Sequence, residues 1–243
     1  MILNDDNDDD DMTASIWSRL IDLVAPRACA ICGRRLAIGE EVLCASCNLH
    51  LPRTDHAESP SDNPLAHRFW GLLPVERAAA LFYYEPHSVA TRVIKEMKYH
   101  DHPEYGLFLG RLTAQEFSHH SFFEGIDAIV PIPLARRRHR QRGFNQSLEI
   151  ARGIGEATGI PVVNDAVRRI SFTNSQALSS HQEREANVEN AFELVSDDAI
   201  RNRHVLLVDD IVTTGATMRA CLQQLQKGGA EKLSILCLAY TKE

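Results

Sequence analysis

The stretch with the most definite chemistry runs from His204 to Thr217, and its centre is a pair of adjacent carboxylates, Asp209 and Asp210. Before them, Val205 to Val208 form an apolar run whose length and β-branched content suit a buried parallel strand. After them comes a hydroxyl- and glycine-rich turn, Thr213-Thr214-Gly215-Ala216-Thr217, and then Met218, Cys221, Leu222 and Leu225 recur at helical spacing. In an open α/β sheet, ligands bind in the crevice beyond the carboxyl ends of the strands. A turn that opens a helix there offers amide hydrogens and a positive dipole end to a phosphate. Two carboxylates beside a phosphate can hold a sugar's vicinal hydroxyls, directly or through Mg²⁺. The other reading of the segment is a structural strand–turn–helix with a solvated acid pair.

A second chemical feature is the run Arg136-Arg137-Arg138-His139-Arg140-Gln141-Arg142, followed by Gly143-Phe144-Asn145-Gln146. A basic run is ordinarily a solvated face. This one follows the expected strand Ile126 to Val130, which Pro131 and Pro133 should end. It also precedes an amphipathic helix with Phe144, Leu148, Ala151 and Ile154 on one face. That position puts it on the same rim of the sheet as Asp209. Arginine suits forked contacts with phosphate oxygens, so the expected ligand is an anion, either a pyrophosphate or a nucleic-acid backbone.

Cysteine supplies the third. Cys29, Cys32, Cys44 and Cys47 form two CxxC pairs, and two such knuckles build the tetrahedral shell of a structural Zn²⁺ site. A segment this small needs the metal to fold. Redox disulfide chemistry is the rival use, but it asks for one CxxC on a thioredoxin-like scaffold. Cys221 and Cys237 lie in apolar patterns and read as small core residues.

The elements that must carry these groups are legible in outline. Residues 1–12 hold six aspartates with no apolar partners and are expected to be a disordered acidic tail, which also accounts for most of the formal charge of -7. A short amphipathic helix, Ser15 to Val24, leads into the cysteine module, so that 13–51 forms one small unit. Residues 52–74 are polar and proline-rich and read as a linker. A strand at Glu76 to Tyr84, helices at His87 to Lys98 and Tyr105 to Phe117, and a last strand at Leu233 to Tyr240 place a packed α/β domain over 75–243. The polar stretch Thr173 to Asn190 is long for a connection and is expected to be a functional lid. With 243 residues, 44% hydrophobic and 24% charged, no signal peptide and no run long enough for membrane insertion, the chain reads as a cytoplasmic globular protein.

Val205 to Thr217 closely resembles the thirteen-residue signature of phosphoribosyltransferases that bind phosphoribosyl pyrophosphate (PRPP). Taken with the Cys₄ knuckles, the run from Pro131 to Ser147 and the stretch from Arg168 to Phe192, it resembles the ComF/GntX family over residues 25 to 240. That resemblance implies a type I phosphoribosyltransferase fold, a parallel sheet with flanking helices and a small hood, preceded by a zinc-knuckle module. It implies that Asp209 and Asp210 bind the ribose hydroxyls and that Thr213, Thr214, Gly215, Ala216 and Thr217 wrap the 5-phosphate. Arg138, Arg140, Arg142, Gly143, Asn145 and Gln146 would line the pyrophosphate side, and Gln176 and Arg184 would belong to a mobile loop closing over the site. Lys98-Tyr99 matches the family's Lys-Tyr after the first helix, with His100-Asp101 in place of the usual glycine.

The implied activity is pentosyl transfer from PRPP with Mg²⁺, a glycosyltransferase reaction whose acceptor the sequence does not specify. Glutamine-dependent amidotransfer is disfavoured, because no cysteine nucleophile of a glutaminase domain precedes this one. The same family includes competence proteins of natural transformation, so the alternative is a module that binds single-stranded DNA, works with a competence helicase and retains a PRPP site.

Overall fold

The computed structural model describes residues 27–85, 88, 90–99, 102–170 and 191–242. The acidic tail, the helix expected at 15–24, and Gln176 and Arg184 of the expected lid all lie outside the described residues. The chain divides into two compact units, Met1–His50 and Leu51–Glu243.

In the first unit, the described part is a pair of knuckles and one turn of helix, α1 (Ala45–Leu49). Each knuckle is shaped by short backbone bonds: the Gly33 amide donates to the Cys29 carbonyl at 2.9 Å, and the Asn48 amide to the Cys44 carbonyl at 2.9 Å. Glu40 ties the segment between them to the second knuckle, its carboxylate accepting from the Ala37 and Ala45 amides at 2.7 Å each.

The second unit is built on a four-stranded parallel sheet. Its elements are, in chain order, α2 (Pro64–His67), β1 (Val75–Tyr83), α3 (Ala90–Tyr99), α4 (Pro103–Ser118), β2 (Ala128–Pro131), α5 (Arg136–Arg142), α6 (Gln146–Thr158), β3 (Val167–Arg169), β4 (Phe192–Leu194), β5 (His204–Val212), α7 (Ala216–Lys227) and β6 (Lys232–Tyr240). Strand order is β1-β6-β5-β2, so β5 is central, and β3 and β4 form a separate antiparallel ribbon. Val205 to Val208 are fully buried, as a strand covered on both faces must be. On one face α7 and the ribbon pack with Leu207, Val212, Met218, Leu222 and Leu225.

Helices α4 and α6 meet without side chains between them. A Cβ at Gly153 would lie 2.1 Å from the Leu107 carbonyl oxygen, and one at Gly110 would lie 2.2 Å from that of Ile150. The two backbones therefore touch, and this contact fixes where the N-terminus of α6 points. Gly153→Ala should cost about 2 kcal/mol net, overpacking outweighing the better helix propensity of alanine. A thermal melt should show Tm lower by about 4–8 °C for a unit of this size, and an unchanged Tm would mean that the helices are farther apart.

Two sequence expectations need correction. Residues 52–74 are not a linker. Pro52 accepts from the Tyr83 amide at 2.8 Å, Pro60 from the Ala78 amide at 2.7 Å, and the Asn63 side chain donates to the Ala78 carbonyl at 2.8 Å. The segment thus covers the free edge of β1, which would otherwise expose unpaired backbone groups. Leu65 and Phe69 are buried in the core. Polar composition misled because Thr54 and Asn63 spend their polarity on the backbone of β1.

The basic run forms a helix of its own, α5, since arginine is a good helix former, and Gly143 ends it in the left-handed conformation at φ 75°. The face of α6 that packs inward carries Ser147, Ile150, Ala151 and Ile154, whereas Phe144 precedes the helix and Leu148 is only half-buried.

Candidate functional site

Consecutive strand residues point to opposite faces, so the acid pair at the end of β5 diverges. Asp209 Oδ1 accepts from Ser147 Oγ at 2.8 Å and from the Asp210 amide at 2.9 Å. Ser147 stands in the first turn of α6, the helix placed by the glycine contact. Asp210 Oδ2 meets Lys98 Nζ, from the last turn of α3, at 2.8 Å. Burial, and then the neighbouring Asp210 charge, push the Asp209 carboxyl up to about 7, against the opposing pull of its hydrogen bonds and Lys98. Among the described residues no cation makes a salt bridge to Asp209, and a carboxyl so placed fits a hard divalent ion shared with ligand oxygens.

Beyond the pair, Thr213 to Thr217 curl round a recess of about 30 Å³ that Asp209 also lines. Gly215 holds the left-handed conformation at φ 78°, which side chains strain, caps α7 and leaves little room, since a Cβ would sit 3.2 Å from the Phe69 ring. Gly215 brings no capping side chain; the Ala216 amide donates to Thr214 Oγ1 at 3.4 Å, and the first turn of α7 borders the recess. The loop is braced from below by the segment expected to be a linker: Arg68 donates to the Thr213 carbonyl, to the Thr241 carbonyl at 3.1 Å and to the Tyr240 hydroxyl at 3.0 Å.

A cavity of about 360 Å³ opens above these groups, lined by Asp209, Asp210, Ile211, Thr213 and Thr217 on one side and by Lys98, Arg138, Arg142, Gln146 and Arg169 on the other. A second cavity, of about 810 Å³, adjoins it and shares Lys98, Arg138 and Arg142, adding Tyr99, Gln141 and Gly143. Cations therefore surround the acid pair, which is the arrangement a polyanionic ligand with sugar hydroxyls requires.

The structure brings together most of the residues expected from the sequence. Asp209, Asp210, Thr213 and Thr217 line the cavity above the acid pair with Arg138, Arg142 and Gln146, while Thr214, Gly215 and Ala216 line the recess. Gly143 lines the adjoining cavity. Arg140 lines neither cavity: two residues from Arg138 on a helix, it points about 200° away round the axis. Asn145 is buried and donates to the Ile132 carbonyl at 3.0 Å, so it holds the chain rather than facing the site.

Sequence reasoning gave no site role to Lys98, Ser147 or Arg169. Arg169, at the end of β3, stacks its guanidinium 5.3 Å from the Phe192 ring centroid. Burial, and then nearby Arg138, make its charge harder to hold, with Asp209 opposing. No local pattern marks these residues, because their partners are brought in by the fold; Ser147 and Asp209 are 62 positions apart.

In the first unit, the four sulfurs of Cys29, Cys32, Cys44 and Cys47 lie within 4.8 Å of one another, a cluster that can hold one metal ion. Burial pushes the Cys29 thiol up, but the amides of Cys32, Cys44 and Ile31 pull it down to about 7. Cys47 is pushed up by burial and by the other three sulfurs. Four crowded thiolates need a cation to coexist, and a closed four-sulfur shell is structural because it leaves no open position.

Comparison with known proteins agrees with this architecture. A family model described as "Phosphoribosyl transferase domain" matches residues 97–243. The DNA utilization protein YhgH of Escherichia coli (strain K12) is 31% identical over 230 residues, covering 90% of this chain and 99% of that protein. Competence protein F of Haemophilus influenzae is 37% identical over 114 residues, which is 46% of this chain and 50% of the relative. Among solved structures, the allosteric regulatory enzyme of purine biosynthesis aligns with 54% of this chain and 25% of its own at 25% identity, with a TM-score of 0.39. With the matched domain spanning more than half of its length and the Escherichia coli relative aligned almost end to end, the chain belongs to the ComF group of the phosphoribosyl transferase domain family.

Proposed function

We propose that the cavity at the carboxyl end of β5 binds PRPP together with Mg²⁺ and serves transfer of the 5-phosphoribosyl group. The observation that carries this reading is that an acid pair, an open helix N-terminus and four cationic side chains share one cavity. The amides of Thr213 to Thr217 hold the 5-phosphate. Asp209 and Asp210 accept hydrogen bonds from the 2- and 3-hydroxyls, and Ser147 fixes the orientation of Asp209. Arg138, Arg142 and Lys98 hold the pyrophosphate on carbon 1. Asp209 and Asp210 are the carboxylates that would hold Mg²⁺, which would offset the negative charge of the pyrophosphate.

In the reaction the C1–O bond to pyrophosphate breaks and its electron pair leaves with the pyrophosphate. An acceptor lone pair forms the new bond to C1. No nucleophilic side chain is needed, because prearranged charge is the main source of acceleration. The cluster of four cysteines binds Zn²⁺ as a folding element.

Calorimetric titration with PRPP, with and without Mg²⁺, tests this reading. Arg138→Ala should weaken PRPP binding at least about tenfold, the loss of one charge-assisted phosphate contact. Arg140→Ala should leave it within about twofold, since Arg140 faces away from the cavity. Equal effects of the two would remove α5 from the pyrophosphate side.

A second reading is favoured by one observation. Arg136, Arg137 and Arg140 are exposed on α5 and line neither of the two cavities that adjoin the acid pair. Together with the names of the relatives, this supports an outer basic face for single-stranded DNA, used in DNA handling alongside a helicase. Arg140→Ala should then weaken oligonucleotide binding and lower its log–log salt slope by about one, while sparing PRPP.

A further inference from the structure

Lys98 sits where the two cavities meet and lines both. Its ammonium is 2.8 Å from Asp210, with the two side chains only 17% and 13% exposed. We propose that Lys98 is a built-in counter-cation of Asp210 that makes recognition of the pyrophosphate and recognition of the sugar hydroxyls interdependent. The proposal rests on the phosphoribosyl reading of the cavity and adds a positioning residue and a specificity to it.

The argument is one of competition for a carboxylate. Asp210 can serve a sugar hydroxyl or a divalent cation fully only if Lys98 gives up its place. A largely buried ammonium does not leave a carboxylate for nothing, because breaking one side of a buried pair strands a charge. Lys98 has somewhere to go. Its flexible four-carbon stem carries three donors, and the cavity on its other side is walled by Arg138 and Arg142, where an anion is expected. A ligand carrying both a pyrophosphate and a free diol compensates both partners at once. Ribose 5-phosphate compensates only Asp210, and a bare divalent cation must evict Lys98 outright.

A purely structural ion pair would be sealed by apolar packing. This one borders two open cavities lined with other cations. Asp209, in contrast, is fixed by Ser147 and by a backbone amide, and needs no mobile partner. The pair is thus divided into one fixed acid and one acid under guard.

The test compares the full-length protein with Lys98→Gln and with Lys98→Met, titrating PRPP and ribose 5-phosphate in the presence of Mg²⁺, and Mn²⁺ alone by electron paramagnetic resonance. Removing the guard should weaken PRPP about tenfold or more, through the lost pyrophosphate contact, and should strengthen ribose 5-phosphate and Mn²⁺ by a similar factor. The gain in Mn²⁺ affinity should vanish when Asp210→Asn is added, which separates this site from other acidic groups on the chain. Melting curves confirm that the variants are folded, and the second substitution stands in if the first is not.

Weakening of PRPP and ribose 5-phosphate alike, or unchanged Mn²⁺ affinity, would overturn the proposal. If the wild-type protein binds no PRPP, the phosphoribosyl reading fails, yet a gain in Mn²⁺ binding at Asp210 would still establish Lys98 as its counter-cation.

Discussion

Cys44→Ser is expected to empty the four-cysteine cluster and unfold residues 27–50. Cys44 is buried, its sulfur accepts from the Cys47 amide at 3.5 Å, and its own amide donates to the Cys29 sulfur at 3.4 Å. It also caps α1, so one side chain serves the metal shell and the only helix among the unit's described residues. The apolar groups that could hold this segment without a metal are few: Ile31, Leu36, Val42 and Leu43 are its buried aliphatics of any size. Segments of fewer than about 40 residues usually cannot bury enough surface to fold on their own. Structural zinc supplies roughly 10–16 kcal/mol in comparable sites, far more than these contacts. Metal content should fall from about one equivalent to near zero, and limited proteolysis should produce new cuts within residues 27–50. Serine at position 44 with full metal content and an intact module would show that three sulfurs suffice. A strong chelator applied to the unsubstituted protein should reproduce the effect, and added Zn²⁺ should reverse it.

The same cluster shows what local spacing can reveal. Two CxxC pairs place their sulfurs together by turn geometry alone, so the sequence carried the site. The strand from Val205 to Val208 and the turn that follows were legible for the same reason, since every group needed lies within thirteen residues. Matters differ where function depends on distant packing. Arg138 and Arg140 look alike in a basic run, and only the formation of α5 turns one towards the cavity and the other away. Lys98 ends a helix of ordinary amphipathic pattern, and nothing near it announces Asp210 as its partner. The stretch 52–74 was misread because polar residues look solvated until the strand edge they cover is known. Arg68 then places that stretch beneath the turn Thr213 to Thr217, a role no composition could suggest.

Asp209→Asn should abolish PRPP binding while making the unliganded protein more stable at neutral and alkaline pH. The asparagine oxygen can still accept from Ser147 and from the Asp210 amide, so the loop keeps its shape. What disappears is a negative charge that burial and Asp210 both oppose, as the rise of this carboxyl to about 7 records. A folded-state value raised above the ordinary one, near 4, means that the folded protein holds an extra proton between those two pH values. Stability of the unsubstituted protein therefore falls as pH rises from about 4 to about 7 and is flat above, as far as this group is concerned. The asparagine variant has no such slope. The two proteins should melt together at pH 4, and above pH 7 in magnesium-free buffer the variant should be more stable by roughly 2–3 kcal/mol, allowing for solvent access on the cavity side. That corresponds to about 5–10 °C in Tm.

Ligand should reverse the order. Saturating PRPP with Mg²⁺ stabilises only a protein that binds it, by about 2.7 kcal/mol at a hundred times Kd, and the variant should show no upward shift. A variant that is less stable at every pH would mean that the carboxylate is held by a cationic partner in the free protein. One that still binds PRPP would mean that Asp209 takes no part in holding the sugar.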